Sequence, residues 1–213
     1  MNSEKMTVHK ALCELKTLDA RIQKATQQSV FAFANKHSNN KVCGLSIGEY
    51  SAEIKSTYQS IKDLLARRDA IKRAVTLSNA NTMVVIAGKE YTVAEAIEVK
   101  NHSIPLKQVL LNKMEADTRR ARLDADRGNG EALEARADEY VKSLYGNVDM
   151  KGASEDIRKT RADFITAQTM EIVDPIDIKS EMERLEKDIS AFVVEVDAAL
   201  SVSNALTELT IEY

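Results

Sequence analysis

Apolar residues recur every three or four positions along most of this chain, and very little interrupts them. The 213 residues include 7 glycines and 2 prolines, against usual shares of about 7% and 5%. Without those breakers the chain cannot make the many tight turns of a sandwich or barrel, and it does not read as a flexible linker. Helical periodicity then has only one outlet, which is long amphipathic helices. Charged residues at 30%, aromatics at 5% and the lack of Trp fit the coiled-coil end of the range.

Val8, Leu12, Leu15, Leu18, Ile22 and Val30 predict a first helix over about 6–36, thickened by Phe31 and Phe33. Residues 37–48, rich in Ser, Asn and Gly, predict a loop. Ile54, Tyr58, Ile61, Leu65, Ile71 and Val75 predict a second helix over about 49–78, its heptad seam interrupted at Arg68. The two should pack as an antiparallel hairpin. At Thr82 the period changes to β-branched residues, and Gly88 predicts the turn of a β-hairpin. Thr92 and Glu95 match a capping box that opens a third helix at Val93. Pro105 should kink or split that helix near Ser103. Gly128-Asn129-Gly130 either breaks the following helix or only weakens it. Leu133, Tyr140, Val141 and Leu144 form a short stripe, and Ser154 reads as the N-cap of another helix. Residues 170–175 are extended in character. Met182, Leu185, Ile189, Phe192, Val196 and Leu200 mark a last helix over about 177–203. Leu209, Ile211 and Tyr213 alternate with polar residues, as in a half-buried strand. The fold class expected is mainly α. It has long antiparallel helical hairpins, as a bundle or coiled coil, and a small β-sheet at one end that the C-terminal strand completes. Residues 1–123 and 124–213 form two parts of one integrated unit.

The most specific signal is an internal repeat. Ser78-Asn79-Ala80-x-Thr82 recurs as Ser203-Asn204-Ala205-x-Thr207, with Ile86 matching Ile211. Each copy stands where a long helix gives way to a strand. Asn tolerates the left-handed conformation that ends a helix, which is one reading. The other is that two Asn–Thr elements converge on a ligand.

Composition and motifs exclude several chemistries. Thirty Lys and Arg against 33 Asp and Glu leave a net charge near -3. That disfavours general nucleic-acid binding, whose affinity comes from neutralised phosphates. Cys13 and Cys43 make no disulfide framework, so a reducing compartment is expected. No secretory h-region and no run of about 18 apolar residues point to a membrane. His9, His37 and His102 have no ligand spacing, and no phosphate loop or nucleophile elbow occurs. No metal, cofactor or catalytic residue is therefore expected. Arg119, Arg120 and Arg122 alternate with Asp117, Asp124 and Asp126, as on a solvated helix face. Arg67, Arg68, Lys72 and Arg73 suit the C-terminal end of a helix dipole. Arg68, on the seam itself, needs a carboxylate, a carbonyl or an anionic ligand.

The run from Leu64 to Lys72, the Ser78-Asn79-Ala80 step, Gly88 to Ile97, Asp174-Pro175 and Val196 to Ala205 resemble a family of helical proteins of about this length. Bacteriophages and prophages of Gram-positive bacteria carry them. The resemblance covers most of the chain and is weakest over 37–48 and 124–153. It brings no agreed activity and hence no catalytic residues. It implies a phage accessory protein in the host cytoplasm or, alternatively, in the virion. The expected function is non-catalytic binding: counter-defence by sequestering a small anionic, nucleotide-type immune signal or by blocking a host defence protein. The alternative is a virion or assembly protein. A homo-oligomer is expected. The candidate ligand site is the helix-to-sheet junction. There Arg67 and Arg68 would meet phosphate, Asn79, Thr82, Asn204 and Thr207 would read polar edges, and Tyr91 would stack on a base.

Overall fold

The computed structural model describes residues 3–147 and 149–212. Tyr213, expected to extend the last strand, lies outside the described residues. The elements run β1 (Ser3–Thr7), α1 (Val8–Gln28), β2 (Lys41–Val42), β3 (Leu45–Ser46), α2 (Ile47–Asn81), β4 (Met83–Ile86), β5 (Lys89–Thr92), α3 (Val93–Glu98), a π-helical turn at Val99–Ser103, α4 (Ile104–Gly128), α5 (Gly130–Tyr145), α6 (Glu155–Gln168), α7 (Ile178–Leu206) and β6 (Glu208–Glu212). The chain is mainly α, with small antiparallel sheets of two strands each.

Local chemistry fixes most boundaries. The Thr92–Glu95 capping box is formed in both directions, and a second one joins Ser46 to Glu49 at the start of α2. Residues 37–48 are thus not wholly a loop: β2 and β3 make a minimal hairpin whose turn places Cys43 and Gly44 at positive φ. The first helix is shorter than expected. Thr7 caps it by accepting from Lys10 N–H at 3.2 Å, and residues 3–7 form a strand instead. Phe31 and Phe33 lie beyond its end, edge-on to Tyr58 and Tyr50 of α2. Pro105 stands in the first turn of α4, which helical backbone precedes without a break (Ser103 φ -68, ψ -43). The helix is not split near Ser103: helical backbone runs on from α3 into α4 through a π-turn at Val99–Ser103, just before the proline.

The contacts divide the chain into two compact units: residues up to His102 together with those from Ala191, and Ser103–Ser190. The expected division at 123/124 falls inside α4.

In the first unit the repeat of the sequence becomes a duplicated structural module. β4 pairs with β5 so that Met83 faces Thr92 and Ile86 faces Lys89. β6 pairs with β1 so that Glu208 faces Thr7 and Ile211 faces Glu4. One set of strands therefore corresponds at an offset of 125 (208 minus 83), and the returning set at 85 (92 minus 7). Val93 N–H donates to the Thr82 carbonyl and Val8 N–H to the Thr207 carbonyl, both at 2.9 Å. The buried positions match as well: Val84 with Leu209, Ile86 with Ile211, Val93 with Val8, Ala96 with Ala11, and Val196 with Ile71. One hairpin is closed by the Ala87-Gly88 turn, while the other joins the two ends of the described chain. The expected single sheet, completed by the C-terminal strand, is corrected by this pairing: β6 finds β1, because β4 already has β5 two residues away.

Each long helix leads into one hairpin and covers the other. Ile71 and Val75 of α2, which leads into β4, pack with Met6, Val8, Ala11, Leu15, Leu18, Leu209 and Ile211. α7, which leads into β6, sets Phe192 edge-on to Tyr91 of β5 at 5.8 Å. Glu195 accepts from Ala87 N–H at 2.7 Å, and Asp197 binds Lys100 Nζ at 2.5 Å.

In the second unit Leu111, Leu133, Ala137, Val141 and Ile189 are buried. Tyr140 stacks on Phe164 with ring centres 4.6 Å apart. The structure resolves Gly128-Asn129-Gly130 as a true break with a purpose. Asn129 clamps the backbone of Met170, donating to its carbonyl at 2.9 Å and accepting from its N–H at 2.8 Å. A Cβ on Gly128 would collide with the Met170 sulfur, and Gly130 takes φ +58.

Candidate functional site

The helix-to-strand exits sit where the repeat places them, but their mechanism differs from the one expected. Asn79 and Asn204 are still helical, and neither is left-handed. Thr82 instead turns straight into extended backbone (φ -83, ψ 126) while its N–H still reaches the Ser78 carbonyl at 2.8 Å. Thr207 N–H reaches Ser203 in the same way at 2.9 Å. A β-branched residue that keeps the last i−4 bond needs no left-handed cap. The Ser78 and Thr82 hydroxyls lie 3.4 Å apart. Asn81, not Asn79, bonds the helix end, through Leu77 O at 2.7 Å.

The arginines are met from within the chain. Arg67 Nη2 lies 2.9 Å from Glu4 Oε2, and its Nε binds Glu14. Arg68 Nε lies 2.5 Å from Asp19 Oδ1, with Asp69 at 3.3 Å. Arg67's hydrogen bond holds the Glu4 carboxyl below its ordinary range, and Asp19's holds the Arg68 guanidinium above its own. Of the three partners open to a seam Arg, the fold supplies carboxylates. An incoming phosphate would have to displace them.

The seven candidate residues fall on several elements. Arg67 and Arg68 face α1 and β1. Asn79 and Thr82 lead into the β4–β5 hairpin, which carries Tyr91. Asn204 and Thr207 lead into the β6–β1 hairpin. Tyr91 has its ring edge against Phe192. A groove of about 500 Å³ beside α2 and β6 is lined by Asp69, Ala70, Arg73, Ala74, Leu77, Thr210 and Glu212, and by none of the seven.

A larger groove, of about 710 Å³, lies in the second unit. Leu110, Met114, Ile176 and Leu185 form its apolar lining, and Lys107, Glu181, Arg184 and Asp188 give it charges of both signs. Beside it Leu106 and Val109 of α4 are 70% and 66% exposed. The sequence reading did not select these residues, although apolar positions 106, 109, 110 and 114 at helical spacing were visible in it. Among the described residues, no group of three or more His, Cys, Asp or Glu is placed to hold a metal. Comparison of the chain with protein-family models, with curated proteins and with solved structures finds no match in any of the three.

Proposed function

We propose that the chain is a non-catalytic phage accessory protein that acts in the host cytoplasm by docking on a protein, the host-blocking form of the counter-defence role. The observation that carries this reading is the groove of α4 and α7. It pairs an apolar floor with mixed charges, the pattern of a protein contact rather than of a phosphate site. An amphipathic helix fits such a groove, with apolar anchors at helical spacing and polar ends on the charged rim. The carboxylates already on Arg67 and Arg68 weigh against sequestration of a nucleotide at the junction.

A photo-crosslinking residue at Leu110, introduced in producing cells, tests the reading. A single host protein should crosslink from Leu110 and not from Arg120 on the charged stretch of α4. A nucleotide retained in native mass spectra, with no host protein captured, would replace docking by sequestration. Abundant copies in purified virions would replace it by an assembly role.

A further inference from the structure

The duplicated module has two equivalent strand edges, and they are finished differently. Val8 N–H donates to the Thr207 carbonyl at 2.9 Å, so residues 207, 209 and 211 turn their backbone groups towards β1 and its continuation. By alternation Glu208, Thr210 and Glu212 turn theirs the other way, where no strand stands among the described residues. In the other hairpin Met83, Val85 and Ala87 hold the corresponding positions (212 minus 87 is 125). There Glu195 of α7 accepts from Ala87 N–H at 2.7 Å and closes the end of the edge. The equivalent of Glu195 is Ala70 of α2 (195 minus 70 is 125), whose methyl group can accept nothing. The groove of about 500 Å³ beside α2 and β6 lies along this open edge.

We propose that this groove takes an extended, basic segment of another protein as an added antiparallel strand on β6. The site belongs to the first unit and is independent of the groove of α4 and α7. The outward backbone groups of Glu208, Thr210 and Glu212 recur about every 6.8 Å, which an extended backbone matches residue for residue. A helix has already satisfied its own amides. The side chains along the edge set the pattern of the segment. Ala70, Ala74 and Leu77 of α2 form an apolar wall with room for β-branched residues at alternate positions. Glu208 and Glu212 are exposed on the opposite face, where cross-strand neighbours of opposite charge stabilise a pair. Arg73 is the middle of the α2 lining, so the centre of the segment is uncharged. The pattern is basic, apolar, neutral, apolar, basic. A second copy of this chain does not supply it. A twofold axis at Thr210 would set Glu208 of one copy against Glu212 of the other at both ends, and like charges directly opposite work against pairing.

The test titrates the full chain with a fluorescein-labelled peptide, blocked at both ends, whose core is Lys-Val-Thr-Val-Lys. Fluorescence anisotropy should show saturable binding, and a peptide with the core Asp-Val-Thr-Val-Asp should bind about tenfold more weakly or worse. In the added strand the central Thr N–H points at β6 and the Val N–H groups point away from it. N-methylation of the Thr amide should therefore weaken binding about tenfold or more, and N-methylation of a Val amide about twofold or less. Amide exchange at Thr210 should slow when the basic peptide is present. Ala70→Glu, which copies Glu195, should close the edge and abolish binding with helical circular dichroism unchanged. The N-methyl comparison leaves the protein untouched, so it decides the matter whether or not that variant folds. A basic peptide that fails to bind overturns the proposal. So does binding that tolerates the Thr N-methyl group, persists in a folded Ala70→Glu chain or is as strong for the acidic core. A dimer in light scattering that Ala70→Glu dissolves would overturn it too, by giving the edge to a second copy.

Discussion

If the two hairpins are copies of one module, removing the same core group from each should cost the same. Ile86 and Ile211 are the matched pair, 0% and 1% exposed. Ile→Ala deletes three carbon groups. At about 0.8 kcal/mol per buried CH₂ this is about 2.4 kcal/mol of lost transfer free energy. The cavity left behind brings the expected loss to about 3–4 kcal/mol, inside the usual range of about 2–5. Ile86→Ala and Ile211→Ala should therefore agree within about 1 kcal/mol, and Thr210→Ala, on the outer side of β6, should cost about 0.5 kcal/mol or less. Guanidinium unfolding followed by circular dichroism, at one protein concentration and with unchanged slope, measures all three. The two hairpins do differ in how they are closed, one by a two-residue turn and the other across nearly the whole chain. That closure entropy belongs to wild type and variant alike, so it cancels from the difference. Should Ile211→Ala cost under about 1 kcal/mol while Ile86→Ala costs its full amount, the β1–β6 hairpin is frayed and the two modules are not equivalent.

The pairing of Ser3 with Glu212 predicts that a short linker joining those ends, with the chain opened at Ala87-Gly88, leaves the fold intact. The permutant exchanges one local hairpin for the other, so its unfolding free energy should lie within about 1 kcal/mol of the parent, since loop-closure terms swap rather than add. Asn129→Ala removes both hydrogen bonds to the Met170 backbone and should cost about 1–2 kcal/mol; faster amide exchange at Met170 would show the release. Acid should destabilise the protein through three named glutamates. Glu4, Glu49 and Glu95 are each held below the ordinary glutamate range, Glu4 by Arg67 and the other two by the caps at Ser46 and Thr92. A lowered folded pKa means stability that is whole above the unfolded value and lost as pH falls through the folded one. Thermal midpoints should hold from neutral pH to the glutamate range and drop below it, and Glu95→Gln, which keeps the cap, should flatten that drop.

What the sequence made legible was local. Gly88, the Thr92–Glu95 box and the alternation of Leu209 with Ile211 each act within a few residues, and the structure bears each out. The β1 strand was missed because Val8, Leu12 and Leu15 carry a helical period that runs smoothly into Met6. Only the long-range pairing with β6 makes residues 3–7 extended. The partner of a strand is a property of the fold and not of its own residues, so the single expected sheet became separate ones. The carboxylates on Arg67 and Arg68 come from β1 and α1, far off in sequence. From the sequence alone, an arginine on a seam with a distant partner looks the same as one waiting for a ligand.

The duplication also separates what the fold needs from what it does not. A residue required by the module should recur in both copies and should make the same bond in each. Thr82 and Thr207 meet both conditions, since each ends a helix and each carbonyl receives a valine N–H. Arg67, Arg68 and Tyr91 meet neither, for their equivalents are Phe192, Val193 and Met6. Asn79 and Asn204 meet the first condition alone. Both are half-buried in the last helical turn, and among the described residues neither side-chain amide makes a hydrogen bond that recurs with it. In a helix interior Asn is worse than Ala by about 0.5 kcal/mol. On structural grounds Asn79→Ala and Asn204→Ala should each be neutral or stabilising by about that amount. A loss above about 1 kcal/mol in either would mean that the amide holds the junction after all. Unchanged stability with a lost binding partner would assign the recurring amides to function.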